Sequence, residues 1–295
     1  MIEPPCFHLT GKGFLRGGPA RLLGEIIDLL FPGSCLFCGA PLSGEACACS
    51  HCLREIPLFT GPRCARCGAP LDGTPPGWSR GAGVGFPAGE PGVSLEAGCL
   101  QCAKVCWSFA RNVSLSAYDG PLRVLVHQLK FESRRGVCRL LGELAVSRSA
   151  EYIGAHQLLV PVPLTGTRKL ERGYNQALLL GRDICRRMGA HGPVLCDALR
   201  RAGKSPPQSS LDSLRERARN MRDRFTLRRG AGRQVMGRRV LLVDDVLTSG
   251  ATASACARAL LEGGADRVDL FTAARTLRFS TTRNGRHAPE GLAPV

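Results

Sequence analysis

Beyond residue 111 apolar residues alternate between short unbroken runs and three-to-four-residue spacings, which predict strands and helices in turn. Val113–Tyr118 reads as a strand, and Leu122–Phe131 and Val137–Tyr152 read as helices. Gln157–Val162 is an apolar strand closed off by Pro161 and Pro163, and Asn175–Met188 fits a helix. A charged, mixed segment follows, with a helix over Ser213–Arg224. Arg239–Val243 is a continuous apolar run of the kind buried on both faces of a parallel sheet. Ala251–Glu262 is a helix ended by Gly263 and Gly264, and Arg267–Ala273 is a further strand. Strands alternating with helices predict an α/β domain, a parallel sheet flanked by helices, over residues 111–275.

The first third reads differently. Residues 1–34 form a leader in which Leu22, Leu23, Ile26, Ile27, Leu29 and Leu30 suit a short amphipathic helix. Glu25 and Asp28 interrupt that stretch, so it is not a secretion signal, and no apolar run is long enough to span a membrane. Residues 35–110 are cysteine-rich. Inside them, residues 72–98 carry eight glycines and four prolines, the composition of a flexible insertion. Residues 276–295 read as a disordered tail.

Eight of the fifteen cysteines stand in four Cys-x-x-Cys pairs. Cys35, Cys38, Cys49 and Cys52 form one natural set, and Cys64, Cys67, Cys99 and Cys102 another. Four thiolates at this spacing match structural Zn²⁺, with no position left open for catalysis. Four successive pairs exceed what a redox motif needs, and without an export signal a reducing cytoplasm is the expected location. The spacing leaves pairing across the sets open. It also leaves Cys47 and Cys106 as substitutes, and Cys138, Cys185, Cys196 and Cys256 as buried small hydrophobes.

The formal net charge of +16 is unevenly spread. Residues 186–239 carry fifteen Lys or Arg against four Asp or Glu, whereas residues 1–110 are balanced at eight of each. Two tetrathiolate zinc sites would lower the total to about +12. The basic segment suits phosphates, on a small molecule or on single-stranded DNA. Phe225 is its only aromatic residue, so contact with DNA there would be mainly electrostatic.

The sharpest motif is Val240-Leu-Leu-Val-Asp-Asp-Val-Leu-Thr-Ser-Gly-Ala-Thr252. A buried strand brings Asp244 and Asp245 to the carboxyl edge of the sheet, where open α/β folds bind ligands. Thr248, Ser249, Gly250, Ala251 and Thr252 then offer hydroxyls and free N–H groups at a helix start, which suits a phosphate. Gly250 lacks the Cβ that would block a close approach. Adjacent carboxylates accept hydrogen bonds and suit a vicinal diol. The alternative is a plain strand-turn-helix with solvated aspartates. Further upstream, Arg168, Lys169 and Arg172 follow Val160-Pro-Val-Pro163 and form a plausible pyrophosphate grip, although cationic runs are more often solvated faces.

The Asp-Asp stretch resembles the phosphoribosyl pyrophosphate motif of type I phosphoribosyltransferases. That resemblance implies ribose binding by Asp244 and Asp245, 5′-phosphate binding by residues 248–252, and Mg²⁺ arriving with the ligand. Purine-type members place an aspartate base at the fourth position after the first acid, but here that position is Thr248, so no general base is identified. The order of motifs is a cysteine ribbon, Pro-Val-Pro, Arg172-Gly-Tyr-Asn-Gln176, Gln208-x-x-Leu211, Arg215-x-x-x-Arg219-Asn220 and the Asp-Asp stretch. From Cys35 to Ala274 this order is similar to that of the ComF family of bacterial competence proteins. It departs from that pattern at Ser205, where many relatives have Thr, and in the long insertion. The resemblance implies a type I phosphoribosyltransferase fold with an N-terminal zinc ribbon, linked to DNA uptake, with competence-machinery proteins as partners. Two functions follow: transfer of a phosphoribosyl group to an unidentified acceptor, or non-catalytic nucleotide sensing coupled to single-stranded DNA binding.

Overall fold

The computed structural model describes residues 33–42, 47–71, 99, 102, 105–131, 135–164, 173–201 and 225–277. The leader helix, the insertion, the helix expected over Ser213–Arg224 and the tail beyond residue 277 lie outside the described residues. The chain divides between Cys52 and Leu53 into two compact units.

In the first unit, β1 (Gly33–Ser34) pairs antiparallel with β2 (Pro41–Leu42), and α1 (Ser50–Arg54) begins there. Elements this short bury little apolar surface and need a metal or a disulfide to hold them.

The second unit contains β3 (Asn112–Ala117), α2 (Gly120–Phe131), α3 (Arg135–Gly154), β4 (Leu158–Pro161), α4 (Gln176–Met188), β5 (Val194–Leu195), β6 (Leu199–Arg201), β7 (Phe225–Leu227), α5 (Ala231–Val235), β8 (Arg239–Leu247), α6 (Ala251–Glu262) and β9 (Arg267–Arg275). Five strands form one parallel sheet in the order β3-β9-β8-β4-β5, while β6 and β7 form a separate antiparallel hairpin. Val240, Leu241, Leu242 and Val243 of the central strand have no exposed surface, as expected of a strand covered on both faces. On one face Leu158, Val160, Val240, Leu242, Val268 and Leu270 pack with Ala253, Cys256, Ala257 and Leu260 of α6. On the other face α4 comes so close that a Cβ on Gly181 would lie 2.6 Å from Leu159 Cδ2.

Two strands run further than their apolar patterns suggest. β8 continues through both aspartates to Leu247, and β9 continues to Arg275. Each supplies the other's ladder there, with Asp244 opposite Thr272 and Leu247 opposite Arg275, so backbone pairing carries polar residues that patterning alone would assign to a loop. Helix α3 breaks at Ser149, where φ is −144°.

Edge strand β3 buries Asn112, Ser114 and Ser116. The preceding segment covers it. Phe59 N–H donates to the Leu115 carbonyl at 2.8 Å, Asn112 N–H to the Arg66 carbonyl at 2.9 Å, and Ser116 Oγ to the Pro57 carbonyl. This segment satisfies an edge that would otherwise present open donors and acceptors. The second cysteine set therefore belongs to the same unit as the sheet.

Candidate functional site

Asp244 and Asp245 lie at the carboxyl end of the central strand and are both partly exposed. The Asp245 backbone N–H donates to Asp244 Oδ1 at 2.8 Å, which orients the first carboxylate. Asp244 lies near Cys256 of α6, and burial, with this negative charge added, pushes that thiol well above its usual range. Asp245 Oδ2 is 3.1 Å from Lys130 Nζ, in the last turn of α2. Thr248, Ser249 and Thr252 are exposed, Ala251 is partly exposed and Gly250 is buried. Gly250 is in the left-handed region at φ 77° and caps α6. The close approach at Gly250 is made by Trp107, whose Nε1 would lie 2.4 Å from an added Cβ. The arrangement combines two acceptors for hydroxyls, a cation beside them and exposed hydroxyls at a helix start.

Neighbouring strand β4 delivers its following loop to the same edge, because Pro161 pairs with Val243 and Val162 N–H donates to the Val243 carbonyl at 2.9 Å. Arg168, Lys169 and Arg172, between that strand and α4 in sequence, lie outside the described residues. The far end of the loop is anchored. Asn175 caps α4 by accepting from Ala177 N–H at 3.1 Å, and its Nδ2 donates to the Val162 carbonyl at 3.0 Å. Tyr174 Oη donates to the Leu129 carbonyl, one residue before Lys130. Tyr174 and Asn175 thus tie the base of the loop to β4 and α2.

The structure brings Cys35, Cys38, Cys49 and Cys52 together, and separately Cys64, Cys67, Cys99 and Cys102, each set with its Sγ atoms within 4.8 Å of one another. A tetrahedral zinc with Zn–S of about 2.3 Å needs S···S edges of about 3.8 Å. The Cys38–Cys49 and Cys64–Cys102 distances are both 3.8 Å, and Cys67–Cys99 is 3.5 Å. Backbone N–H groups of Cys49 and Cys52 point at Sγ of Cys35 and Cys49, each at 3.4 Å. The hydrogen bond between the Cys64 and Cys67 side chains lowers the Cys64 thiol and raises that of Cys67, and burial raises Cys102, so one thiolate forms readily and the others would ionise as metal binds. Arg275 is 3% exposed, donates to the Cys67 carbonyl, and has no carboxylate within ion-pair distance among the described residues. A tetrathiolate zinc centre carrying about −2 would supply the missing counter-charge. These residues fit zinc.

Sequence reasoning missed several features. The two ribbons share Cys-x-x-Cys-Gly-Ala-Pro-Leu, at 35–42 and 64–71, and build matching turns. Cys35 N–H bonds the Ala40 carbonyl and Cys64 N–H the Ala69 carbonyl, both at 2.8 Å. Aligning the Cys-x-x-Cys segments would have exposed this repeat. Lys130, Trp107 and Arg275 carry no local pattern that marks them.

The fold is an α/β domain built on a parallel sheet, with two tetracysteine clusters of zinc-ribbon spacing before it. A family model described as a double zinc ribbon domain matches residues 26–81. The DNA utilization protein YhgH of Salmonella typhi is 31% identical over 255 residues, covering 84% of this chain and 100% of that protein. Competence protein F of Haemophilus influenzae is 28% identical, over 77% of this chain and 90% of that protein. The chain belongs to the ComF family. Among solved structures, a glutamine phosphoribosylpyrophosphate amidotransferase from B. subtilis is 19% identical with a TM-score of 0.33. That likeness covers 49% of this chain and 30% of the amidotransferase, so the chain spans under a third of that protein's length.

Proposed function

We propose that this chain binds phosphoribosyl pyrophosphate and acts in the handling of DNA taken up by the cell. One observation carries the reading: two part-exposed adjacent carboxylates and an exposed hydroxyl-rich helix start meet at the carboxyl end of the central strand. In this reading Asp244 and Asp245 accept from the ribose hydroxyls, and Thr248, Ser249, Gly250, Ala251 and Thr252 take the 5′-phosphate. Arg168, Lys169 and Arg172 take the pyrophosphate, with Mg²⁺ held mainly by the ligand's own oxygens. The relatives named for competence and DNA utilization support the link to DNA. In a transfer reaction, pyrophosphate would leave the anomeric carbon and an unidentified nucleophile would add there, with the cations stabilising the departing charge.

A second reading, nucleotide sensing with single-stranded DNA binding, is favoured by Thr248 at the position where a base would stand. It is also favoured by the exposed Arg200, Arg228, Arg229, Arg233, Arg238 and Arg239. Calorimetric titration with Mg²⁺-phosphoribosyl pyrophosphate tests the shared core of both readings, and no heat of binding would refute it. Pyrophosphate release in the presence of bases or amines separates the two, because only the transferase produces it.

A further inference from the structure

Trp107 packs against two hydrophobic clusters, the sheet–α6 core and the one built on Cys64, Cys67, Ala69 and Cys102. Its indole N–H donates to the Ser249 carbonyl at 3.0 Å, and its ring fills the space beside Gly250. Arg66, inside the Cys64-x-x-Cys67 turn, lies 5.8 Å over the indole and donates to the Val105 carbonyl at 2.6 Å and the Cys102 carbonyl at 3.5 Å. Phe109 stacks on the indole at 5.0 Å, and Ser108 N–H donates to Ser254 Oγ of α6 at 2.9 Å. A continuous set of contacts therefore runs from the second thiolate tetrad to the loop before α6.

We propose that Trp107 is a positioning residue for that loop, and that zinc at Cys64, Cys67, Cys99 and Cys102 sets the loop's phosphate affinity through it. The proposal rests on the phosphate-binding reading of the loop given above. The physical link is the peptide plane. In a trans peptide the carbonyl and the next N–H point in opposite directions, and the described residues contain no cis bond. Pinning the Ser249 carbonyl to the indole therefore turns the Gly250 N–H away from Trp107. Without the indole, that plane is free to rotate and the donor is no longer preorganised for an anion.

The test measures two quantities on the full chain: affinity for ribose 5-phosphate by calorimetry, and amide hydrogen exchange over residues 246–254. Trp107→Ala is expected to weaken affinity about tenfold to a hundredfold and to speed exchange in the loop while the β8 core stays protected. Trp107→Phe keeps the ring but not the donor, and should fall between, at about threefold to tenfold. Cys99→Ser, which removes one ligand of the second tetrad, should speed loop exchange as Trp107→Ala does. Unchanged loop exchange in both Trp107 variants would overturn the proposal, even if the parent binds ribose 5-phosphate. If the parent does not bind it, the phosphoribosyl reading fails, and the affinity half of the proposal fails with it. Loop exchange then still decides the mechanical link.

Discussion

Replacing Asp245 by Asn separates its proposed ligand role from its visible structural one. Among the described residues Asp245 forms one ion pair, with Lys130 at 3.1 Å and side-chain exposures of 23% for Lys130 and 14% for Asp245. A pair this accessible contributes about 1 kcal/mol or less, so the variant should fold and melt within about 4 °C of the parent. In the ligand-bound protein the carboxylate would accept charge-assisted hydrogen bonds from ribose hydroxyls, at about 1.5–3 kcal/mol each. Asn keeps one neutral acceptor, so the loss of one such bond raises Kd about 10- to 150-fold. With ligand at 100 times the parent's Kd, the parent gains about 2.7 kcal/mol, whereas a variant bound a hundredfold more weakly gains about 0.4 kcal/mol. For a domain of this size that is a shift of about 5–11 °C for the parent and about 1–2 °C for the variant. Thermal melts with and without Mg²⁺-phosphoribosyl pyrophosphate measure both. Lys130→Met is the matched control, since it breaks the same ion pair but keeps the acceptor, and it should retain most of the shift. Equal ligand shifts in Asp245→Asn and the parent would refute the assignment of the ribose site.

Asp269 is 2% exposed and is held by Arg267 Nε at 3.0 Å, His156 Nε2 at 3.1 Å and the Arg111 N–H at 3.1 Å. Against desolvation, which would raise it, His156 and Arg267 hold its carboxyl below the ordinary value. A lowered folded value means that its contribution is complete above the unfolded pKa of about 3.9 and fades as pH falls through the folded one. Asp269→Asn should therefore cost about 3 kcal/mol at pH 7, with the gap closing in acid, as read from urea melts at several pH values. Cys64→Ser should lower the melting temperature of the unit that begins at Leu53, and metal analysis of the parent should find two zinc ions per chain; Cys35→Ser, in the other unit, should leave that transition in place. Gly250→Ala forces a side chain into a φ of 77° and against Trp107, so it should cost at least about 1–2 kcal/mol and abolish ligand-induced stabilisation. If single-stranded DNA contacts three or four of the exposed arginines, binding of oligo-dT should weaken about 20- to 50-fold between 50 and 200 mM salt, and a flat response would exclude that surface.

What the sequence reveals here, and what it hides, follows from the range of the interactions involved. The strand-loop-helix around Asp244 and Asp245 is legible because all its parts are consecutive: an apolar run, two acids, small polar residues and an apolar-periodic helix. The helix bounds Ala251–Glu262 are read directly, since Gly250 and Gly263 flank them. The ends of β8 and β9 are not, because each is extended by the other's backbone, and no single strand records its partner. β5, β6, β7 and α5 run to two, three, three and five residues, too few to show a period. Metal ligands announce themselves through fixed spacing, but the residues that tie the second centre to the sheet do not. Asn112, Arg275 and Trp107 each reach a partner more than forty residues away, across contacts formed only once the ribbon covers the edge of β3. The glycine of the loop shows how one residue can be identified correctly for an incomplete reason. Its missing Cβ looks like room for a phosphate, yet the space is taken by an indole from the zinc-bearing segment. If the loop takes an anion, as proposed, the anion would have to approach from the opposite face, so one face would be held by protein while the other received the ligand.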